Sequence, residues 1–127
     1  MKDYNFTGLK FLVVDDEELL REILTETFAM HGAHVDSAEG GQEALQKIRE
    51  TAYDVLISDV RMPNGDGLEL IKAITQLPER QKMKIFICSA YNDLTEEKIN
   101  ELKIFQIIQK PFDIENLLML VASSQLK

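Results

Sequence analysis

The chain predicts an α/β fold: a doubly wound parallel sheet of five strands with helices on both faces. Short apolar runs alternate strictly with amphipathic stretches of helical period, five of each. Such alternation implies parallel pairing, because parallel strands need crossover connections. The middle run, Asp54 to Ser58, is apolar on both alternating faces, as a strand between two helical layers must be.

Leu9 to Val14 is the first run. Leu19, Leu20, Ile23, Leu24, Thr27 and Phe28 follow at helical spacing, and His31-Gly32 supplies a stop. Val35 lies in a short second strand ahead of Gly40-Gly41, and Ala44, Leu45 and Ile48 share one face of the next helix. After the third strand, Met62-Pro63-Asn64-Gly65-Asp66-Gly67 is turn chemistry, and Leu68, Ile71 and Ile74 mark the helix beyond it. Lys84 to Ser89 is the fourth strand, and Asp93 and Glu96 have capping-box spacing before a helix with Ile99 and Leu102. Phe105 to Gln109 is the fifth strand. Asp113 can cap a last helix carrying Ile114, Leu117, Leu118 and Val121.

The 127 residues form one domain, 1–127, with its core expected over 9–121. Hydrophobic residues make up 45% and charged residues 28%, a globular rather than a disordered balance. A net charge of -8 repels a polyphosphate backbone and argues against direct nucleic-acid binding. No apolar stretch approaches the length of a membrane span, and Met1 to Phe6 has no signal-peptide core. The lone Cys88 excludes an internal disulfide and fits a reducing compartment, so a cytoplasmic place is expected.

In a doubly wound sheet, ligands sit outside the carboxyl ends of the strands. Those ends carry Asp15-Asp16, Asp59, Ser89 and Lys110. Singly, each has an ordinary explanation: an aspartate caps a helix, a serine makes a turn, a lysine is solvated. Gathered at one edge they are a chemical site. Three carboxylates repel one another unless a cation intervenes. A hard divalent ion such as Mg2+ suits oxygen ligands, and the absence of nearby His or Cys in the motif argues against zinc. Asp59 is the candidate nucleophile, since a carboxylate can hold a phosphoryl group as an aspartyl phosphate. Lys110 would neutralise charge in that transfer, and Ser89 would donate to a phosphoryl oxygen.

The runs Leu12-Val13-Val14-Asp15-Asp16-Glu17, Ile57-Ser58-Asp59-Val60-Arg61-Met62-Pro63, Asp66-Gly67, Ser89-Ala90 and Lys110-Pro111-Phe112 together resemble the receiver domain of the bacterial response-regulator family. The resemblance implies a flavodoxin-like sheet in the order 2-1-3-4-5. It implies that Asp59 accepts a phosphoryl group from a sensor histidine kinase or phosphotransfer protein of a two-component phosphorelay and signals to a downstream effector domain or protein. Asp15, Asp16, Asp59 and the backbone carbonyl of Arg61 would bind Mg2+. Ser89 and Lys110 would bind phosphoryl oxygens, and a cis peptide before Pro111 would turn Lys110 into the site. Two positions depart from the family pattern. Ile107 stands where an aromatic residue commonly sits three positions before the lysine, and Lys103-Ile104 replaces a common Gly-Ala pair. A single-domain regulator and a piece of a longer one are both compatible with an end at Lys127.

Two other classes fit less well. A phosphatase of the haloacid-dehalogenase type pairs its nucleophile with an aspartate two residues on, where Asp59 is followed by Arg61 and Asp15 by Glu17. A flavin-binding domain needs a Ser/Thr/Gly-rich anion loop after the first strand, and Asp15-Asp16-Glu17-Glu18 would repel a phosphate there.

Overall fold

Among the residues described by the structure, a computed structural model covering 4–62, 67–80, 82–89 and 95–125, five strands form one sheet. They are β1 (Lys10–Val14), β2 (His34–Ala38), β3 (Val55–Asp59), β4 (Lys84–Ser89) and β5 (Gln106–Gln109). All pair in parallel, in the order β2-β1-β3-β4-β5. The helices are α1 (Glu18–Met30), α2 (Gly41–Glu50), α3 (Gly67–Ile74), α4 (Glu96–Glu101) and α5 (Ile114–Ser124). A single 3-10 turn, Pro78–Arg80, precedes β4. Its Arg80 Nε donates to Ile48 O at 2.7 Å, satisfying a carbonyl that the end of α2 leaves free. Pro63, Asn64, Gly65 and Asp66 of the expected turn, Ala90 and the expected cap at Asp93 lie outside the described residues.

Strand alternation divides the core into two layers. Phe11, Val13, Val55, Ile57, Phe86 and Cys88 lie beneath Leu24 and Phe28 of α1 and Leu117 and Val121 of α5. Leu12, Val14, Leu56, Ile85 and Ile87 meet Ile48, Ile71, Ile74 and Leu102 on the opposite face. Every residue of β3 is buried, as its two apolar faces demand. The core also reaches upstream of Leu9. Phe6 is fully buried, its ring 5.3 Å from Phe11 and 5.8 Å from Phe28, and its N–H donates to His31 O at 2.7 Å.

The His31-Gly32 stop is realised as a Schellman turn. Gly32 has φ +98°, its N–H reaches Ala29 O at 3.0 Å, and Ala33 N–H reaches Phe28 O at 3.2 Å. The apolar face expected of α1 splits in two. Leu24 and Phe28 are buried, whereas Leu19 is 69% and Ile23 41% exposed. Residues 20, 24 and 28 make one stripe along the helix. Positions 19, 23 and 27 make the next, rotated by one residue and turned away from the sheet.

Among the described residues no helix is long and apolar enough to cross a membrane.

Candidate functional site

β1 ends at Val14, and Asp15 follows it into the crevice outside the strand ends. Asp15 is buried. Its N–H donates to Ala38 O at 3.2 Å, and its Oδ1 accepts from Glu17 N–H at 2.8 Å. The ordinary reading of this aspartate as the α1 cap does not hold. The cap position is Glu17, whose side chain makes no cap bond, and Asp15 instead secures that residue's own N–H. Asp16 beside it is exposed.

Asp59 is the last residue of β3 and is 8% exposed. Its Oδ2 accepts from Lys110 Nζ at 2.8 Å, and Arg61 N–H makes a long bond of 3.4 Å to its Oδ1. Gly67 fixes how closely α3 approaches this strand end. A Cβ there would strike the Asp59 carbonyl and lie 3.0 Å from Val60 Cα, so glycine at position 67 has a steric reason. Gly67 N–H also donates to Val60 O at 2.8 Å.

Lys110 follows β5, and its peptide to Pro111 is cis, as the family resemblance implied. Lys110 N–H donates to Ser89 O at 2.8 Å, which ties the ends of β4 and β5 together. Its ammonium lies 2.8 Å from Asp59 and 4.0 Å from Asp15 Oδ2. Ser89 is buried at the end of β4, one residue past Cys88, which pairs in register with Asp59. Asp15, Asp16, Asp59, Ser89 and Lys110 therefore stand at one sheet edge. Ile107 is half-buried against the core layer of α2, α3 and α4, so an aliphatic group occupies the place of the usual ring.

Carboxylate oxygens of Asp15, Asp16 and Asp59 lie within 4.8 Å of one another. Burial raises the Asp15 carboxyl above its ordinary range, and the charge of Asp59 adds to that, against the Glu17 N–H and Lys110. Burial opposes the Lys110 ammonium. The hydrogen bond and charge of Asp59, with the charge of Asp15, outweigh it and raise its pKa. Burial pushes the neighbouring Cys88 thiol up to about 12, so it stays protonated at neutral pH. One ammonium cannot balance three carboxylates. The donor set, all hard oxygen and partly dehydrated, fits a small divalent cation such as Mg2+.

Sequence reasoning missed Arg21. Its Nη1 donates to Asp15 O at 2.8 Å. The available signal was that α1, Glu18–Met30, contains no other basic residue.

The family model of the response regulator receiver domain matches residues 11–122. The chain belongs to the receiver domain family of response regulators. As a receiver, it is a phosphoacceptor module of two-component signalling. Among curated relatives, the DNA-binding transcriptional regulator NtrC of Escherichia coli (strain K12) is 36% identical over 110 residues, 86% of this chain and 23% of NtrC. Response regulator RR06 of Streptococcus pneumoniae is 31% identical over 107 residues, 84% of this chain and 48% of RR06. The receiver thus spans less than half the length of these relatives. Among solved structures, the chemotaxis response regulator CheY4 of Vibrio cholerae superposes with a TM-score of 0.82 at 30% identity, covering 91% of this chain and 97% of CheY4. The receiver domain of the Francisella response regulator 1452 gives 0.78 at 31% identity, covering 94% of this chain and all of that one.

Proposed function

We propose that Asp59 is the phosphoacceptor of this receiver, served by Lys110, Ser89 and a Mg2+ ion held by Asp15, Asp16, Asp59 and the Arg61 carbonyl. The observation that carries this reading is the 2.8 Å contact between Asp59 Oδ2 and Lys110 Nζ beside Asp15. A nucleophilic carboxylate must meet an anionic phosphoryl group, and charge compensation is the main requirement of such a transfer. Asp59 attacks phosphorus, the new O–P bond forms, and the P–N bond of a phosphohistidine breaks with its electron pair passing to the imidazole nitrogen. Lys110 is then free to move from the Asp59 carboxylate to a phosphoryl oxygen, with the Ser89 hydroxyl as a second donor. When bound, Mg2+ offsets the charge of the carboxylates and of the phosphoryl oxygens.

The donor partner is a sensor histidine kinase or phosphotransfer protein. An apolar groove of about 470 Å³ supports that reading, because the cap residue Glu17 with Leu20 and Ile23 of α1 lines it together with Pro111, Phe112 and Ile114, and Lys110 lines both groove and site. A protein seated there would bring its phosphohistidine to Asp59. The receiver covers 23% of NtrC, a DNA-binding transcriptional regulator, so a downstream effector domain or protein is the expected recipient of the signal.

Incubation with Mg2+ and acetyl phosphate should add one phosphoryl mass to the intact protein, and a chelator should prevent it. No gain in mass with Mg2+, or an equal gain with chelator, would contradict the proposal.

A further inference from the structure

Asp15 is held at more points than a strand end requires. Its N–H, its carbonyl and its Oδ1 are all engaged, by Ala38, Arg21 and Glu17 respectively. The bond from Arg21 is the one that local backbone geometry does not supply. Arg21 stands six residues on, at the end of the first turn of α1, and its guanidinium turns back toward the helix start. Its side chain is 13% exposed, and Nη2 lies 3.6 Å from the Glu39 carboxylate in the loop between β2 and α2. That carboxylate is 75% exposed, so the ion pair itself contributes little. The bond to the Asp15 carbonyl is the stronger anchor, being short, charged and shielded.

This matters because the site is frustrated without a cation. Three carboxylates within 4.8 Å push apart, and a loop free to relax would spread them. Any spreading must be reversed when a cation binds, which weakens affinity. We infer that Arg21 is a positioning residue for divalent-cation binding: its bond to the Asp15 carbonyl fixes the loop between β1 and α1 so that the carboxylates of Asp15 and Asp16 stay within reach of Asp59. Arg21 touches no reacting group. The inference rests on the reading of the acidic cluster as the Mg2+ site.

Calorimetric Mg2+ titration of wild type, Arg21→Ala, Arg21→Lys and Glu39→Gln tests it, with thermal melting in chelator to establish folding. Arg21→Ala should weaken Mg2+ binding by roughly tenfold, the low end for residues that orient metal ligands. Arg21→Lys, which keeps a long charged donor, should recover most of that loss. Glu39→Gln should stay within about twofold of wild type. The Mg2+ concentration giving half-maximal phosphorylation by acetyl phosphate should rise in Arg21→Ala by the same factor, while the rate at saturating Mg2+ returns to the wild-type value. Unchanged Mg2+ affinity in folded Arg21→Ala would overturn the inference, as would a fall in the saturated rate at unchanged affinity. Should Arg21→Ala fail to fold, Arg21→Gln, which is too short to reach the carbonyl, is read against the same expectations. Wild type that binds no Mg2+ would overturn the metal reading itself. Equal binding by wild type and variant would overturn only the role of Arg21.

Discussion

At the scale of single residues, the site is a set of charges held closer than they would choose. Asp15 shows this most clearly, because burial raises its carboxyl pKa above the ordinary value of 3.8. The folded protein then binds that proton more tightly than the unfolded chain. The contribution of Asp15 to stability therefore falls as pH rises from the ordinary carboxylate range through the raised pKa, and its ionised form costs the metal-free protein stability at neutral pH. Asparagine keeps the Oδ1 acceptor for Glu17 N–H and removes the charge. Metal-free Asp15→Asn should accordingly melt above wild type at pH 7, with the gain disappearing near pH 3, and Mg2+ should no longer raise its melting temperature. Melting curves with and without Mg2+ at both pH values check this. A melting temperature at or below that of wild type at pH 7 would contradict it. The same frustration explains why the carboxylates were legible in the sequence. No structural use accounts for three of them at the ends of buried strands, whereas the Arg21 anchor left in the sequence only the faint signal of a lone basic residue in α1.

At the scale of elements, the strands were legible because parallel strands buried on both faces read as continuous apolar runs, and the helices because their stripes recur at helical period. What escaped was how a stripe divides. Leu19 and Ile23 share helical spacing with Leu20 and Leu24, and only the packing of α1 on the sheet shows that the first pair faces outward. The fourth helix holds a second lesson. Lys103 N–H reaches Asn100 O at 3.3 Å and Ile104 N–H reaches Ile99 O at 3.1 Å, the same Schellman pattern that Gly32 completes after α1. Lys103 takes the left-handed position with φ +57°. A side chain there costs about 1 kcal/mol that glycine avoids. Lys103→Gly should therefore stabilise the protein in urea denaturation by up to about 0.5 kcal/mol, the strain relieved net of the backbone entropy that glycine adds. Destabilisation on this change would mean that the turn is held by the lysine side chain rather than strained by it.

At the scale of the whole molecule, the sheet order places β1 beside β3, and their ends bring the acidic pair to the acceptor. The groove along α1 opens beside that point, and Lys110 belongs to both. Docking and chemistry are thereby separable. Ile23→Glu should slow phosphoryl transfer from a phosphorylated histidine kinase or phosphotransfer protein by about 5- to 150-fold, by placing a charge in an apolar contact worth about 1–3 kcal/mol. It should leave transfer from acetyl phosphate unchanged, and equal loss with both donors would remove the groove from the docking role. The claim on which everything else depends is that Asp59 receives the phosphoryl group. Borohydride reduction of the Mg2+ and acetyl phosphate product, followed by peptide mapping, tests it directly. Homoserine is expected at position 59 in wild type, with no reducible label in Asp59→Asn. Homoserine at another aspartate, or undiminished labelling of Asp59→Asn, would contradict it.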